Sequence, residues 1–305
     1  MSAMKTSSQL IVSRRNYLSG LAMAIAGAVL FSAKAIVAKL LYRYQLDAVT
    51  LIAFRMAFSL PVFAVIAMMQ MRQPLRLSTG EKWRLLLVGL TGYYLSSFLD
   101  FLGLQYISAG LERLILFLTP SFVLFFSMIL YQRQVTRLEL GALLLSYSGI
   151  VLVFLHDLHW GADNVVLGAA LVLGAAVSYA AYLMQSGQLL ARLGTLRLVS
   201  YAMCIASVAC ITQCLAIRPI SVWNQPDAVI YLSLFNALFC TVFPVFLTMM
   251  AIKRIGAATA SQAGMIGPVS TLFLGAWLLA EPVTGWQLLG TALVLSGMYL
   301  LSTKK

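Results

Sequence analysis

Two stretches decide the fold of this chain: VTRLELGALLLSYSG at 135–149 and VTGWQLLGTALVLSG at 283–297, which repeats it 148 residues later. The same offset relates further pairs of positions: Gly20 and Gly168, Ile107 and Ile255, and Thr119-Pro120 and Gly267-Pro268. Chance matches of glycine and proline would not keep one offset along the whole chain. The sequence therefore predicts two structurally similar halves.

The composition places both halves in a membrane. Of the 305 residues, 61% are apolar and 10% are charged, whereas a soluble domain has about 45–50% apolar and roughly 25% charged residues. A soluble globule this apolar would expose large apolar patches and aggregate, and a disordered chain carries far fewer apolar residues. Because one transmembrane helix needs about 20 residues, the length allows about ten spans and leaves no room for a sizeable soluble domain.

Apolar runs separated by charged or turn-rich segments predict an all-α polytopic membrane protein with ten transmembrane helices. They lie at about 17–41, 48–71, 83–106, 108–131, 138–155, 165–186, 197–217, 228–250, 255–280 and 283–302. The first five-helix repeat is then 17–155 and the second is 165–302, with cytoplasmic tails at 1–16 and 303–305. An odd number of helices inverts the second repeat relative to the first, which is typical of secondary transporters that bind substrate near the midplane.

The distribution of basic residues predicts the orientation. Fifteen of the 21 lysines and arginines fall in the tails and in the loops on the side of the N-terminus. Because positive residues favour the cytoplasmic side, we expect both termini in the cytoplasm. The net charge of +12 is then explained by membrane orientation, and we expect no nucleic-acid partner. The four cysteines lie in apolar runs whose spacing fits no zinc site, so we expect no metal and no cofactor.

Three short stretches carry a resemblance to a known family. They are LQYISAG at 104–110 before Thr119-Pro120, KRIGAA at 253–258 before Gly267-Pro268, and EPVT at 281–284 before a last helix with Gly290 and Gly297. In these stretches, and over nearly its whole length, the chain resembles the EamA-type permeases of the drug/metabolite transporter superfamily. The resemblance implies a central cavity lined by helices 1, 3, 4, 6, 8 and 9, the bacterial inner membrane as location, and export. The first repeat departs from the pattern, because Arg133 stands where the second repeat has Glu281.

Five charged residues lie inside the predicted spans, and all belong to the first repeat: Lys34, Arg55, Asp100, Glu112 and Arg113. Their equivalents in the second repeat are uncharged: Tyr182, Met203, Thr248, Ala260 and Ser261. Each such charge costs about 2.5–3.5 kcal/mol on insertion scales, and charges within spans are candidate functional residues. Four of the five lie about 10 Å inside the outer boundary at a rise of 1.5 Å per residue, and Glu112 is one residue shallower. They therefore form one layer.

This layer has two interpretations. The charges could neutralise one another, with Asp100–Arg113 the best candidate ion pair, or they could contact substrate. Three cations face two anions, and a substrate carboxylate or phosphate would stabilise the cation left over. We favour substrate contact for Lys34 and a structural role for Arg55, and both interpretations stay open for Asp100 and Arg113. Asp100 and Glu112 are also candidate proton carriers, which makes the proton a candidate coupling ion.

Polar residues on other helices complete the candidate substrate site: Tyr94, Tyr179, Tyr182, Gln185 and Gln262. Ordinary hydrogen bonding between helices explains these residues equally well. Pro120 and Pro268 occupy equivalent positions within spans, where a pair of kinks could act as gating hinges or be static.

The motifs favour a secondary transporter over other classes. The chain contains neither a G-x-x-x-x-G-K-[ST] phosphate loop nor a G-x-S-x-G elbow, so we expect neither ATP-driven transport by this chain alone nor an intramembrane enzyme. We expect alternating-access export of a small amphipathic anion or zwitterion, such as an amino acid, by a monomer or homodimer in the lipid bilayer. The alternative is a transporter of neutral or cationic drug-like compounds in which the charges are purely structural. A scaffold or receptor is a third possibility.

Overall fold

The computed structural model describes residues 2–72, 75, 77–132, 134–160 and 164–302, and all regular structure within these ranges is helical. The ten main helices are α1 (Ser2–Tyr42), α2 (Ala48–Met71), α3 (Thr79–Leu104), α4 (Ala109–Leu130), α5 (Arg137–Trp160), α6 (Val165–Leu193), α7 (Thr195–Ile217), α8 (Asp227–Ile255), α9 (Thr259–Leu279) and α10 (Gly285–Ser302). In the described residues, nine helices are long and apolar enough to cross a membrane, and a shorter apolar helix, Gly285–Leu301, follows them. A helix of about 17 residues still reaches across a bilayer, so the all-α polytopic fold is confirmed.

The expected N-terminal tail is helical. α1 begins at Ser2, so residues 2–16 continue the first helix, and their place in the cytoplasm stays a prediction. Extending an existing helix costs little once its first turn has formed. The expected tail at 303–305 and the residue Arg133 lie outside the described residues.

Helix boundaries repeat with the sequence offset. α3 begins at Thr79 and α8 at Asp227, and α5 begins at Arg137 and α10 at Gly285. Irregularities repeat as well. α3 widens into a π-helical turn at Leu90–Leu95 and α8 does so at Leu238–Val242, and the left-handed residues Gln132 and Ala280 are equivalent. The two halves therefore share local backbone detail as well as helix order.

The packing of α5 on α10 shows that the halves are inverted. Gly149 approaches Gly290, because a Cβ on Gly149 would lie 2.5 Å from the Gly290 carbonyl oxygen. Gly297 approaches Ala142 in the same way, also at 2.5 Å. Residue numbers rise along one helix as they fall along the other, so α5 and α10 are antiparallel. Since each is the fifth helix of its half, the two halves run in opposite directions, as predicted.

A contact between equivalent residues marks the symmetry axis. Ser146 Oγ donates a hydrogen bond to the carbonyl oxygen of Val294 at 3.5 Å, and these residues are 148 positions apart. A residue can meet its own equivalent only at a two-fold axis. The approximate axis that relates the halves therefore passes between α5 and α10.

The halves also interlock through glycines. A Cβ on Gly20 would lie 2.6 Å from Ile255 Cγ2, and one on Gly168 would lie 2.8 Å from Ile107 Cγ2. These four residues are the two pairs that the sequence offset relates, and they contact crosswise. Thus α1 packs on α8 of the other half, and α6 packs on the end of α3 and the turn after it, where a Cβ on Gly103 would lie 2.6 Å from the Gly168 carbonyl oxygen.

Both predicted kinks are breaks directly before a proline. α4 interrupts between Leu116 and Thr119, and α9 interrupts between Ala263 and Ile266. Pro120 has no N–H to donate to the Leu116 carbonyl, and the Thr119 hydroxyl donates to that carbonyl instead at 2.7 Å. A gating role for these breaks stays a prediction.

Candidate functional site

Lys34 of α1 is the centre of the charged cluster. Its ammonium donates to Asp100 Oδ2 of α3 at 2.5 Å and lies 3.7 Å from Glu112 Oε1 of α4. Lys34 is 7% exposed, Asp100 3% and Glu112 0%. One buried ammonium thus serves two carboxylates, which leaves this group of three with one negative charge in excess when all are ionised.

The ring of Phe101 connects this group to Arg55. Lys34 Nζ lies 5.3 Å from the centroid of the Phe101 ring, and the Arg55 guanidinium carbon lies 4.9 Å from the same centroid. Arg55 Nη2 also donates to Ser97 Oγ at 3.0 Å. Cations are attracted to the face of an aromatic ring. Arg55 therefore contacts α3, and its structural role stays a prediction; nothing in the sequence marks Phe101 as a partner.

Arg113 does not pair with Asp100 in the way considered from the sequence. Asp100 accepts from Lys34, and no carboxylate lies within ion-pair distance of Arg113 among the described residues. The Arg113 side chain instead lies along the Phe117 ring at 5.5 Å and reaches the break in α9 beside Gly267. Position along each helix determines the depth of these charges in the membrane, whereas side-chain rotamers determine which of them pair.

Several polar atoms of the cluster have no hydrogen-bond partner within the described part of the chain. They are Asp100 Oδ1, both carboxylate oxygens of Glu112, Arg113 Nε and Arg55 Nε. Buried polar atoms are normally hydrogen-bonded, and exceptions call for an explanation such as a ligand or water. Arg113 as a whole is half-buried, and its Nε atom is buried.

The expected polar lining divides into two groups. Tyr182 is buried and its hydroxyl lies 3.2 Å from that of Tyr93, while its ring lies 5.1 Å from the ring of Tyr179. Tyr94 is half-buried against the core that surrounds Phe101. Gln185 and Gln262 are exposed, and no contact found in the described ranges joins them to Lys34. Of these residues, Tyr94 therefore shares a core with Phe101, whereas Tyr179 and Tyr182 form a separate pair of rings.

Polar contacts tie the loops together at the end of the bundle where α1 meets α2, here termed the α1–α2 end. Glu281 Oε1 lies 3.2 Å from Lys39 Nζ and 3.5 Å from the Ala109 amide nitrogen. Arg43 Nη2 donates to the Leu279 carbonyl at 2.8 Å. Each of these contacts joins the first half to the second, and Glu281 contacts two first-half residues, Lys39 and Ala109. Sequence comparison of the halves singled out Glu281 but not its partners.

Asp47 and Arg218 form another such contact, with Arg218 Nη2 2.9 Å from Asp47 Oδ2. Partial burial alone raises the pKa of Asp47, but hydrogen bonds from Thr50, Arg218 and the Val49 amide hold that pKa below its ordinary value. The carboxylate is therefore ionised at neutral pH and can keep the α1–α2 and α7–α8 loops together.

Comparison with known proteins accounts for the two-half architecture. The sequence profile of the EamA-like transporter family matches residues 18–155 and again 166–303, which correspond to the two halves. The chain belongs to this family. The resemblance noted in the sequence is thereby confirmed, and the protein is a multi-pass membrane transporter of the EamA-like family.

Individual relatives agree with this assignment. The "uncharacterized transporter YcbK" of Bacillus subtilis (strain 168) is 31% identical over 297 residues, which cover 93% of this chain and 94% of that protein. An "uncharacterized transporter" of Archaeoglobus fulgidus is 26% identical over 266 residues, or 85% and 90% of the two chains. A solved crystal structure is similar with a TM-score of 0.61 and 16% identity over 93% of this EamA-family chain and 96% of that one, which shows a shared fold alone.

Proposed function

We propose that this EamA-family protein is a secondary active transporter that exports a small amphipathic anion or zwitterion, such as an amino acid, by alternating access. The observation that carries the proposal is Arg113, a cation on α4 that has no carboxylate partner among the described residues. A cation in an apolar environment is costly unless it is paired. A substrate carboxylate bound in the loaded state would provide that partner.

The arrangement around Lys34 moves the expected anion contact from Lys34 to Arg113. Two carboxylates already neutralise Lys34, so a substrate anion placed there would meet repulsion from Asp100 and Glu112. Arg113 offers a planar guanidinium that suits a carboxylate, and its Nε atom has no acceptor. Lys34 then anchors the cluster instead of binding the anion.

Glu112 supports a zwitterion in particular. Both of its oxygens are buried without a hydrogen-bond donor in the described ranges, and it is adjacent to Arg113 in the first turns of α4. A substrate ammonium could donate to Glu112 while the substrate carboxylate accepts from Arg113. An α-amino acid carries both groups on one carbon.

A cationic compound is the second candidate. The group formed by Lys34, Asp100 and Glu112 contains one more carboxylate than it has ammonium groups, which favours a positively charged guest. In that case Arg113 would be structural.

A binding assay with four related phenylalkyl compounds of different charge separates these candidates. The probes are L-phenylalanine (zwitterion), 3-phenylpropionate (anion), phenethylamine (cation) and 3-phenylpropanamide (neutral). We expect the first two to raise the unfolding midpoint of the detergent-purified protein, because a ligand that binds only the folded state stabilises it. The Arg113→Gln variant should lose this shift. Arg55→Gln is the matched control, since Arg55 already has partners on α3, and its shift should persist relative to its own unliganded midpoint.

The outcomes have distinct meanings. No shift with phenylalanine or phenylpropionate in the wild type contradicts the proposal. A shift with phenethylamine that persists in Arg113→Gln favours the second candidate. Uptake of radiolabelled phenylalanine into proteoliposomes then separates a transporter from a receptor. We propose the proton as coupling ion, carried by Asp100 or Glu112, and transport that ignores an imposed pH gradient would contradict this part.

A further inference from the structure

The Arg113 side chain occupies space that exists only because residue 267 is glycine. A Cβ built on Gly267 would lie 2.7 Å from Arg113 Nη2, 3.2 Å from Arg113 Nε and 3.3 Å from Ser32 Oγ. Distances below 3.0 Å are not tolerated between such atoms, so one of them would have to move. The guanidinium of α4 therefore lies directly against the bare backbone of α9.

The backbone of α9 does not itself require a glycine here. The glycines with positive φ in the described residues are Gly194 and Gly256, and Gly267 is not among them. The equivalent residue in α4 is Thr119, which follows the same kind of break and carries a full side chain. The missing side chain at Gly267 thus leaves room for Arg113 and Ser32, and the backbone conformation at this position does not require glycine.

Three helices of both halves meet at this glycine. Its carbonyl oxygen accepts a hydrogen bond from Ser32 of α1 at 3.0 Å and from Thr271 of α9 at 3.1 Å, and Arg113 of α4 covers its Cα. The second half cannot form a copy of this junction, because the equivalent of Arg113 there is Ser261. The contact between Arg113 and Gly267 therefore has no counterpart between the equivalent residues, Ser261 and Thr119.

We propose that Gly267 is a positioning residue that holds the Arg113 guanidinium where it can bind a substrate carboxylate. This inference rests on the proposed function, in which Arg113 contacts the carboxylate. The clashing atom belongs to the far end of a flexible side chain, so a methyl group at 267 displaces the guanidinium while the helices stay packed. Gly267→Ala should therefore impair anion binding and leave the folded state intact.

The test compares Gly267→Ala with Gly141→Ala, a helical glycine with nothing within 4 Å of an added Cβ. Ligand titrations followed by thermal unfolding use 3-phenylpropionate and L-phenylalanine. We expect Gly267→Ala to bind both about tenfold more weakly, which is the size of a charged hydrogen bond, with an unliganded midpoint close to wild type. Gly141→Ala should bind both as the wild type does. A variant that fails to fold would overturn the proposal, since it would mean that the backbone needs this glycine.

A double variant shows whether the effect passes through Arg113. In an Arg113→Gln background, Gly267→Ala should cause no further loss of affinity, because coupled residues are not additive. Additive losses would show that the glycine acts independently and would overturn the inference. If the wild type binds neither probe, the proposed function fails; if the wild type binds them and Gly267→Ala binds equally well, only this inference fails.

Discussion

At the scale of single residues, Lys34 organises the charges inside the membrane. A lysine ammonium is a compact charge with three donors, so it can lie between Asp100 and Glu112 at 2.5 and 3.7 Å. The same carboxylates would repel each other without it. The charge arrangement of the first half thus depends on one side chain from α1.

Replacing Lys34 by methionine should destabilise the protein strongly. The substitution keeps the length of the side chain but leaves two buried carboxylates without their cation, and breaking a buried ion pair from one side costs about 3–5 kcal/mol. We expect a clearly lower unfolding midpoint in detergent at neutral pH.

The double variant Lys34→Met/Asp100→Asn provides the control. Removing the charge of Asp100 as well should restore part of the lost stability, because fewer uncompensated charges remain. If the double variant is as unstable as the sum of the two single variants, the two residues are not coupled and the description of this pair is wrong.

At this scale the sequence predicts which residues are charged and how deep they lie, but not which ones touch. Depth follows from position along a helix, whereas partners depend on rotamers and on how neighbouring helices rotate about their axes. Uncharged residues such as Phe101 and Ser32 give no chemical signal in the sequence, and the repeat marks Gly267 without indicating that it contacts Arg113. Their contribution to the candidate site is visible only once α1, α3, α4 and α9 are packed together.

At the scale of helices, two crossings between the halves depend on glycines. Ile255 packs against Gly20, and the equivalent Ile107 packs against Gly168. The offset of 148 identifies Gly20 and Gly168 as equivalents, and likewise Ile107 and Ile255. It cannot say that the pairs contact each other crosswise, which requires the halves to be inverted and interlocked. The breaks before Pro120 and Pro268 have a sequence signal, whereas the π-helical turn at Leu90–Leu95 has none.

Adding one methyl group at either crossing should destabilise the protein to a similar extent. In Gly20→Ala the new Cβ meets Ile255, and in Gly168→Ala it meets Ile107. Overpacking of this kind costs about 1–3 kcal/mol. Thermal unfolding of the purified variants measures the effect, and Gly141→Ala serves as the open-space control. Loss of stability in only one of the two variants would argue against equivalent crossings.

At the scale of the whole molecule, the two ends of the bundle are tied differently. Lys39 and Arg43 of α1 contact Glu281 and the Leu279 carbonyl across the halves at the α1–α2 end. The equivalents of Lys39 and Arg43 are Gly187 and Ala191, which can form no such contacts at the opposite end. The opposite end has other ties between the halves, from Arg192 to Glu81 and from Arg254 to Ser19. The two ends of the pseudo-symmetric fold are therefore held by non-equivalent contacts.

Weakening the Glu281 contact should open the α1–α2 end more often. In Glu281→Gln the ion pair with Lys39 is lost. Because such a partly exposed pair is worth about 0.2–1 kcal/mol, we expect an Ile36→Cys probe to react roughly 1.4 to 5 times faster. Ile36 is fully buried next to Gly275. The reagent is a membrane-impermeant maleimide added to the side expected to be extracellular, with the native cysteines replaced.

The matched control for that experiment is Asp157→Asn. Asp157 accepts from Ser108 at the same end, but both residues belong to the first half. Its loss should leave the Ile36→Cys reaction rate unchanged. Equal rates in Glu281→Gln and wild type would mean that the Glu281 contact does not limit opening.

The hydrogen bond from Ser146 to Val294 joins a residue to its own counterpart. The operation that exchanges the halves maps this pair of positions onto itself, although the hydroxyl that makes the bond belongs to Ser146 alone. The contacts Gly149–Gly290 and Ala142–Gly297 simply trade places around it. If the protein works by the alternating access proposed above, we expect the α5–α10 pair to act as the fixed pivot about which the other helices move.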